Sequence, residues 1–192
     1  MQAMETEVKI RIADRESLEQ SLPTLGFTQI TPRTFERNTL YDTPERKLRN
    51  GRQILRLREY GSRCVVTHKS VPEDESAEDR HKRRIETETE IEDGLAMASI
   101  FEALGYGPVF IYEKWRTEWA DRTGHCVLDE TPLGLFAELE GPSDWIDTVA
   151  KRLRIDPSEY IKLSYGRIFE NWRDETRSTV QNLTFAEIPQ HA

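Results

Sequence analysis

The sequence predicts an α+β fold in which an eight-stranded antiparallel β-barrel is flanked by helices. Three observations lead to this class. Segments with apolar and polar residues at alternating positions recur through the first 140 or so residues, which is typical of β-strands. Short turns join most of these segments, as in antiparallel sheets. Several strands place two or more charged residues on one face, and a closed sheet with those faces inward would form a polar tunnel.

The strands are predicted from this alternation in chain order. Glu5 to Ile12 carries a charge at every second position, and the segments before and after Gly61-Ser62 form a hairpin. The eight predicted strands span residues 5–12, 34–41, 53–59, 63–69, 84–92, 109–120, 126–130 and 135–140. A turn at Asp42-Thr43-Pro44 closes the second of them.

Two helices are predicted between the strands. Asp14 and Asp93 are suitable N-caps for them, and Gly26 and Gly105 mark their ends. The second helix repeats apolar residues at i, i+3, i+4 and i+7, which predicts one buried stripe of Met97, Ile100, Phe101 and Leu104.

Beyond the last strand the hydrophobic period changes from two to 3.6, which predicts helices. Ser143 is the expected N-cap of the first of these helices, and Pro157 opens a further short one. Residues 70–82 are acidic, rich in polar residues and nearly free of apolar ones, so we expect a mobile loop there. We expect one domain over residues 1–173 and a polar, flexible C-terminal tail over residues 174–192.

Composition restricts the class of partner. The net charge of −8 and a pI near 5.2 argue against broad nucleic-acid or membrane binding, which requires a basic surface. No apolar run approaches the roughly 20 residues of a membrane-spanning helix. Cys64 and Cys126 form no metal or disulfide motif, so both are expected to be buried free thiols. We therefore expect a cytoplasmic protein that binds neither nucleic acid nor membranes.

The charged strand faces carry the functional signal. On any single strand, an outward, solvated face is the simpler interpretation. Five strands share the pattern, and a tunnel lined in this way would be unfavourable when empty, because removing charges from water costs several kcal/mol each. Water, a polyanion and cations would compensate these charges. Arginine and lysine bind phosphate oxygens, and clustered carboxylates bind Mg²⁺ or Mn²⁺. The mixture predicts recognition of a metal–triphosphate complex.

The charged motifs also resemble a known family. Glu5, Glu7 and Lys9 resemble the ExExK signature of the CYTH, or triphosphate tunnel metalloenzyme, superfamily, which includes class IV adenylate cyclases, thiamine triphosphatases and inorganic triphosphatases. One such motif is a weak signal, but the following motifs keep the family's order: Tyr41-Asp42-Thr43, Leu55-Arg56-Leu57-Arg58, Thr67-His68-Lys69, Arg84 with Glu86 and Glu88, Glu113-Lys114-Trp115-Arg116, Asp129, Leu133-Gly134 to Phe136, Glu138-Leu139-Glu140 and Ser164-Tyr165.

The resemblance covers about residues 4–172 and implies roles for individual side chains. The metal ligands it implies are Glu5, Glu7, Glu88, Asp129, Glu138 and Glu140. The substrate-binding residues it implies are Lys9, Arg56, Arg58, Lys69, Arg84, Lys114 and Arg116. Glu7, Lys9 and Arg58 are the candidates for direct participation in catalysis, with Lys9 placed to position or deprotonate a water or to contact phosphate.

The expected function is hydrolysis of inorganic triphosphate or of a nucleoside or thiamine triphosphate, with Mg²⁺ or Mn²⁺ as cofactor. Class IV adenylate cyclase activity is the first alternative, since the tunnel lining barely separates the two reactions. A non-catalytic polyphosphate binder is the second, although such a binder has less need of metal ligands. A homodimer is compatible with the sequence, but nothing in it requires one.

Overall fold

The computed structural model describes residues 2–76 and 78–189 and shows a closed antiparallel barrel of eight strands. The strands are β1 (Gln2–Arg11), β2 (Thr28–Asp42), β3 (Ile54–Tyr60), β4 (Arg63–Ser70), β5 (Lys82–Ile91), β6 (Gly107–Ala120), β7 (His125–Thr131) and β8 (Gly134–Glu140). They neighbour each other in the order β1-β5-β4-β3-β2-β6-β7-β8, and β8 pairs with β1. The predicted fold class is confirmed.

Five α-helices flank the barrel within the described residues. They are α1 (Arg15–Ser21), α2 (Lys47–Asn50), α3 (Gly94–Ala103), α4 (Ser143–Arg152) and α5 (Tyr165–Thr176). Short 3₁₀ turns occupy Leu22–Leu25 and Pro157–Glu159. Within the part of the chain that the structure describes, no helix is long and apolar enough to cross a membrane.

Helix boundaries follow side-chain capping in most places. Asp14 accepts hydrogen bonds from two backbone N–H groups of α1, and Asp93 accepts one from α3, so both predicted N-caps are confirmed. The prediction for Ser143 was wrong, since the cap position is Pro142 and Ser143 is the first residue of α4. Proline fits there because the first helical N–H groups have no partner within the helix.

The core lies mainly outside the barrel, between the strands and the helices. Val8 and Ile10 of β1 pack with Leu139 and Ile146 in the largest apolar cluster, which covers one side of the barrel. A second cluster joins α5 to β6, and a third lies under α3. This arrangement leaves the barrel interior for polar side chains.

The predicted buried stripe of α3 is only half correct. Phe101 is buried against Tyr41, but Ile100 is 51% exposed and Leu104 is 68% exposed. Periodicity identified the helix, but only one edge of its apolar face contacts the barrel. Periodicity alone does not show how wide that contact is.

The chain continues past α5 along the barrel wall. Leu183 is buried in the second cluster and forms a bridge with Tyr112 of β6, and the backbone of Leu183 bonds to Ile111 and Glu113. The described part of the tail, up to Pro189, therefore includes a segment that packs on the barrel. The domain boundary at residue 173 stays a prediction.

Candidate functional site

Alternation along the strands decides which side chains enter the barrel. Successive residues of a strand point to opposite faces, so the apolar residues of β1 pack outside while Glu5, Glu7 and Lys9 point inward. The same alternation operates in the other strands. Their inward side chains line a tunnel cavity of about 290 Å³. The tunnel therefore exists, and its lining carries both acidic and basic groups.

A cluster of three carboxylates lies where β1 meets β8. Glu7 is paired directly with Glu140 across the two strands, and Glu5 lies on the same face of β1. One carboxylate oxygen from each of the three lies within 4.8 Å of the others. Three negative charges this close repel each other strongly in the absence of a cation.

This repulsion appears in the protonation of Glu140. Burial and the charges of Glu5, Glu138 and Glu7 raise the pKa of Glu140 to about 8. Glu7 behaves oppositely. Burial opposes its charge, and so does the neighbouring Glu138. The ammonium groups of Lys82, Lys9 and Lys69 together outweigh these two effects, and the pKa of Glu7 falls to about 2. The cluster therefore contains one firmly ionised carboxylate and one that holds its proton near neutral pH.

Lysines from two other strands border the cluster. Lys69 Nζ donates to Glu5 Oε2 at 2.6 Å and lies 3.2 Å from Glu86 Oε2. Lys82 Nζ forms an ion pair with Glu7. These ammonium groups offset part of the carboxylate charge, and they also lie where an anion bound beside the cluster would contact them.

Two arginines of β3 continue the basic wall. Arg56 donates to Tyr112 Oη at 3.2 Å and to Thr67 Oγ1 at 3.1 Å, and Arg58 donates to Glu88 Oε2 at 3.2 Å. The Nε atoms of both arginines are buried and have no hydrogen-bond partner within the protein. Buried N–H donors are usually hydrogen-bonded. Because these two have no partner within the protein, each is available to donate a hydrogen bond to a bound oxyanion.

A buried ion-pair network with equal numbers of cations and carboxylates lies inside the barrel, and four of its six members line the tunnel cavity. Its members are Lys9, Lys114, Arg116, Glu36, Asp129 and Glu138. Arg116 holds both Asp129 oxygens, at 2.8 and 2.7 Å, and one oxygen of Glu138 at 2.7 Å. Tyr165 at the start of α5 donates to Asp129 Oδ2 at 2.7 Å. This part of the tunnel is internally compensated.

The network fixes the charge state of its members. Burial disfavours charged Lys9, but Glu138 and Glu7 raise the pKa of Lys9 above its usual range. Burial likewise disfavours charged Glu36, but Lys114 and Arg116 lower the pKa of Glu36 below its usual range. Lys9 therefore keeps its proton.

The structure brings together half of the six predicted metal ligands. Glu5, Glu7 and Glu140 form the carboxylate cluster. Glu88 lies with Arg58 and Thr67 instead, and Asp129 and Glu138 belong to the buried network. Their roles as ligands stay predictions.

The predicted phosphate-binding residues divide in a similar way. Lys69 contacts Glu5 of the carboxylate cluster, whereas Arg56 and Arg58 contact Glu88. Lys9, Lys114 and Arg116 lie in the buried network, and all six residues line the tunnel cavity. Arg84 differs, because its side chain contacts Glu75 Oε1 at 2.5 Å and lines a neighbouring cavity.

Two tunnel residues were missed from the sequence. The sequence pattern places Lys82 at the end of a loop, but Lys82 is the first residue of β5 and points inward like Arg84 and Glu86. Glu36 is fully buried inside the barrel. Its alternation with Asn38 in β2 was a usable signal, since a charged residue and an amide share that face.

The carboxylate cluster suits a divalent metal. Its donors are all carboxylate oxygens, which Mg²⁺ and Mn²⁺ prefer. A cation there would also relieve the repulsion that raises the pKa of Glu140. The residues present therefore fit the expected cofactor class, without distinguishing one ion from the other.

Comparison with known proteins agrees with this geometry. The family model described as CYTH domain matches residues 3–163. A protein of Methanocaldococcus jannaschii, named as a proposed adenylate cyclase, is 29% identical over an alignment of 173 residues that covers 84% of this chain and 96% of the relative.

Solved structures share the architecture. A proposed adenylate cyclase from Vibrio parahaemolyticus superposes with a TM-score of 0.76 at 20% identity, over 87% of this chain and 98% of the other. The Hippeastrum protein HpAC1, for which a dominant triphosphatase activity is described, superposes with a TM-score of 0.63 at 17% identity, over 88% and 96%. At these identities the matches show the fold.

Proposed function

The chain belongs to the CYTH domain family, and on this premise we propose that it is a divalent-metal-dependent enzyme that hydrolyses a triphosphate. The observation that carries the proposal is the separation of charge in the tunnel. Glu5, Glu7 and Glu140 form an all-oxygen cluster, and Arg56 and Arg58 present unpaired donors in the same cavity. A metal–triphosphate complex needs both of these surfaces.

Different side chains of the tunnel would bind the phosphates and the metal. Arg56, Arg58, Lys69 and Lys82 would hold the phosphate oxygens, with the arginines able to make paired contacts. Glu5, Glu7 and Glu140 would hold the metal, which when bound supplies positive charge for the phosphates and polarises a water.

The buried network would act as a rigid support. Because Lys9 remains protonated between Glu138 and Glu7, we assign it to positioning and charge compensation rather than to removing a proton from water. Arg116 and Asp129 keep this part of the wall in a single arrangement. Preorganised charge of this kind lowers a barrier without reorganisation during the reaction.

In the hydrolytic step, a water oxygen attacks the terminal phosphorus and the bond from that phosphorus to the bridging oxygen breaks. The proton that the water loses passes to a phosphate oxygen or to solvent, and the products are orthophosphate and the shortened phosphate chain. The tunnel residues align the three phosphates and neutralise the charge that accumulates on the leaving oxygen.

Cyclisation of ATP is a second candidate, supported by the name of the Methanocaldococcus jannaschii relative. In that reaction the ribose 3′-hydroxyl attacks the α-phosphorus and pyrophosphate leaves. The same basic wall would serve both reactions, which differ in the phosphorus that faces the nucleophile. A cytoplasmic location and a homodimer remain predictions from the sequence.

One experiment separates the two reactions. The purified protein is incubated with ATP, or in a parallel reaction with tripolyphosphate, and with either Mg²⁺ or Mn²⁺, and the products are resolved by ion-exchange chromatography. ADP with orthophosphate supports hydrolysis, and cyclic AMP with pyrophosphate supports the cyclase. If neither ATP nor tripolyphosphate is converted with either metal, the enzymatic proposal is wrong.

A further inference from the structure

A second cavity of about 490 Å³ adjoins the tunnel. Ile54, Lys82 and Ser164 line both spaces, so the two are continuous along these residues. The adjoining cavity lies between β2, β3, α2 and α5, and none of the six predicted metal ligands lines it. A ligand held in the tunnel beside Lys82 could extend directly into it.

The lining of the adjoining cavity is strongly basic. Among the described residues, it contains two lysines, two carboxylates and six arginines: Arg46, Arg49, Arg52, Arg84, Arg167 and Arg173. One carboxylate, Asp42, accepts hydrogen bonds from backbone N–H groups at the start of α2. The other, Glu170, pairs with Arg49 and Arg167. In a protein with a net charge of −8, this excess of cations in one concave site indicates an anion.

A carboxylate from outside the lining already contacts this basic group. Glu75, in the loop between β4 and β5, lies 2.6 Å from Arg52 Nη2 and 2.5 Å from Arg84 Nη1. Its side chain is 11% exposed, whereas that of the adjacent Asp74 is 71% exposed. Glu75 therefore occupies the position that an anion would take between the two arginines.

The loop that carries Glu75 is held at its far end. Lys162 Nζ donates to the backbone oxygen of Asp79 at 2.6 Å, and Arg80 and His81 both contact Asp147 of α4. The rest of the loop is largely exposed. Displacement of the Glu75 side chain would break two ion pairs at the cavity and the hydrogen bond that it accepts from the backbone of Arg83, without releasing the anchored end of the loop.

We propose that the adjoining cavity binds phosphate groups beyond the third phosphate of the substrate, and that Glu75 occupies this site until such a group displaces it. The inference rests on the proposed binding of a triphosphate in the tunnel. It makes the substrate class a chain of four or more phosphates, either inorganic or attached to a nucleoside. Leu55, Val109 and Phe110 supply an apolar floor that would accept an organic group.

Calorimetric titration of the metal-free protein in EDTA tests the site apart from catalysis. The ligands are tripolyphosphate, linear tetrapolyphosphate and adenosine 5′-tetraphosphate, and the proteins are wild type, Glu75→Gln, Arg52→Gln and the control Glu73→Gln. Glu73 is an exposed acid of the same loop, so its substitution makes the same change in net charge. Thermal melting establishes that each variant is folded.

Removing the competing carboxylate should strengthen binding selectively. We expect Glu75→Gln to bind the tetraphosphates about tenfold more tightly, since two partly exposed ion pairs no longer compete, and tripolyphosphate within about twofold of wild type. Arg52→Gln should bind the tetraphosphates about fivefold more weakly. If these changes in affinity appear only with tetrapolyphosphate, the site takes an inorganic phosphate chain. If they appear only with adenosine 5′-tetraphosphate, it takes a nucleoside polyphosphate.

Two results would overturn the inference. One is a Glu75→Gln protein that binds the tetraphosphates no better than Glu73→Gln. The other is an equal gain for tripolyphosphate, which would place Glu75 against the triphosphate itself. Hydrolysis of tripolyphosphate by the wild type with Mn²⁺ is measured separately, so loss of the proposed enzymatic function and failure of the second site give different results.

Discussion

Replacing Glu140 by glutamine should stabilise the metal-free protein and remove its stabilisation by metal. Glu140 shares a cluster with Glu5 and Glu7 in which the closest oxygens lie within 4.8 Å. Two unit charges at that separation repel by about 3.5 kcal/mol at an effective dielectric constant near 20. Lys69 and Lys82 offset part of this repulsion. We therefore expect a net gain of about 2 kcal/mol in the free energy of unfolding in EDTA.

The pH dependence of this gain follows from the raised pKa. The folded protein holds a proton on Glu140 up to about pH 8, whereas the ordinary value is 4.5. The unfolded chain therefore loses this proton at lower pH than the folded protein does. The destabilisation of the folded wild type by Glu140 therefore grows as pH rises from 4.5 to 8 and is constant above pH 8. The advantage of Glu140→Gln should be small at pH 5 and largest above pH 8.

Bound metal should make the wild type more stable than Glu140→Gln, which reverses their order of stability in EDTA. A ligand at a hundred times its dissociation constant stabilises the folded state by about 2.7 kcal/mol. Glu140→Gln removes one carboxylate ligand, so this variant should lose most of the stabilisation that metal gives to the wild type. For a chain of this size, about 2 kcal/mol corresponds to a shift of about 4–8 °C in melting temperature.

Differential scanning calorimetry at pH 8.5, in EDTA and in saturating Mn²⁺, measures both effects. Glu59→Gln is the matched control, because Glu59 is exposed on β3 and does not line the tunnel cavity. The reasoning is refuted if Glu140→Gln melts below the wild type in EDTA, or if Mn²⁺ stabilises both proteins equally.

Three further predictions follow from the tunnel and the core. In denaturant unfolding at pH 7, Glu36→Gln should lower the free energy of unfolding by about 3–5 kcal/mol, because Lys114 loses a buried counter-charge. The cationic neighbours of Glu36 lower its pKa despite burial. This destabilisation should therefore shrink as pH falls below 4.5, the ordinary pKa of a glutamate. Arg58→Gln should weaken tripolyphosphate binding by about 1.5–3 kcal/mol in calorimetry, since one charged donor is lost. Cys126 should react with a thiol reagent only on unfolding, because burial raises its pKa to about 12. Cys64 is half-exposed, so the expectation that it is buried was wrong, and it should react first.

Each of these has a result that contradicts it. Equal stability of Glu36→Gln and the control Glu59→Gln at pH 7 would show that the buried network is not needed for folding. Unchanged affinity in Arg58→Gln would remove Arg58 from the substrate site. Fast labelling of Cys126 in the native protein would contradict the tight packing around β7.

The alternation of charges predicted the barrel because closed antiparallel sheets require an inward face and an outward face. Lys9, Arg56 and Glu138 were assigned to the correct face for this reason. Strand ends were less predictable. β2 begins at Thr28, six residues before the predicted start, since irregular pairing with β6 extends it where the alternation is weak.

The grouping of the charges inside the tunnel could not be read from the chain. Asp129 and Glu140 are both inward carboxylates, but one lies among Lys114 and Arg116 and the other faces two glutamates. That difference arises from strand order and register, which bring distant residues together. The position of the Arg84 side chain likewise depends on its ion pair with Glu75. Glu75 lies in a loop whose sequence has no periodicity, so the pair could not be predicted.

The most direct test of the central claim is the release of orthophosphate from tripolyphosphate, measured with Mn²⁺ or Mg²⁺ in the wild type, Glu7→Gln and Glu59→Gln. We expect metal-dependent release in the wild type and in Glu59→Gln, and its loss in EDTA. Release should fall at least roughly a hundredfold in Glu7→Gln, since loss of a group that only orients a metal ligand already costs about 10–100-fold in metal affinity or activity. Release that is insensitive to EDTA, or that persists in Glu7→Gln at the wild-type rate, would contradict a metal–triphosphate site at the carboxylate cluster.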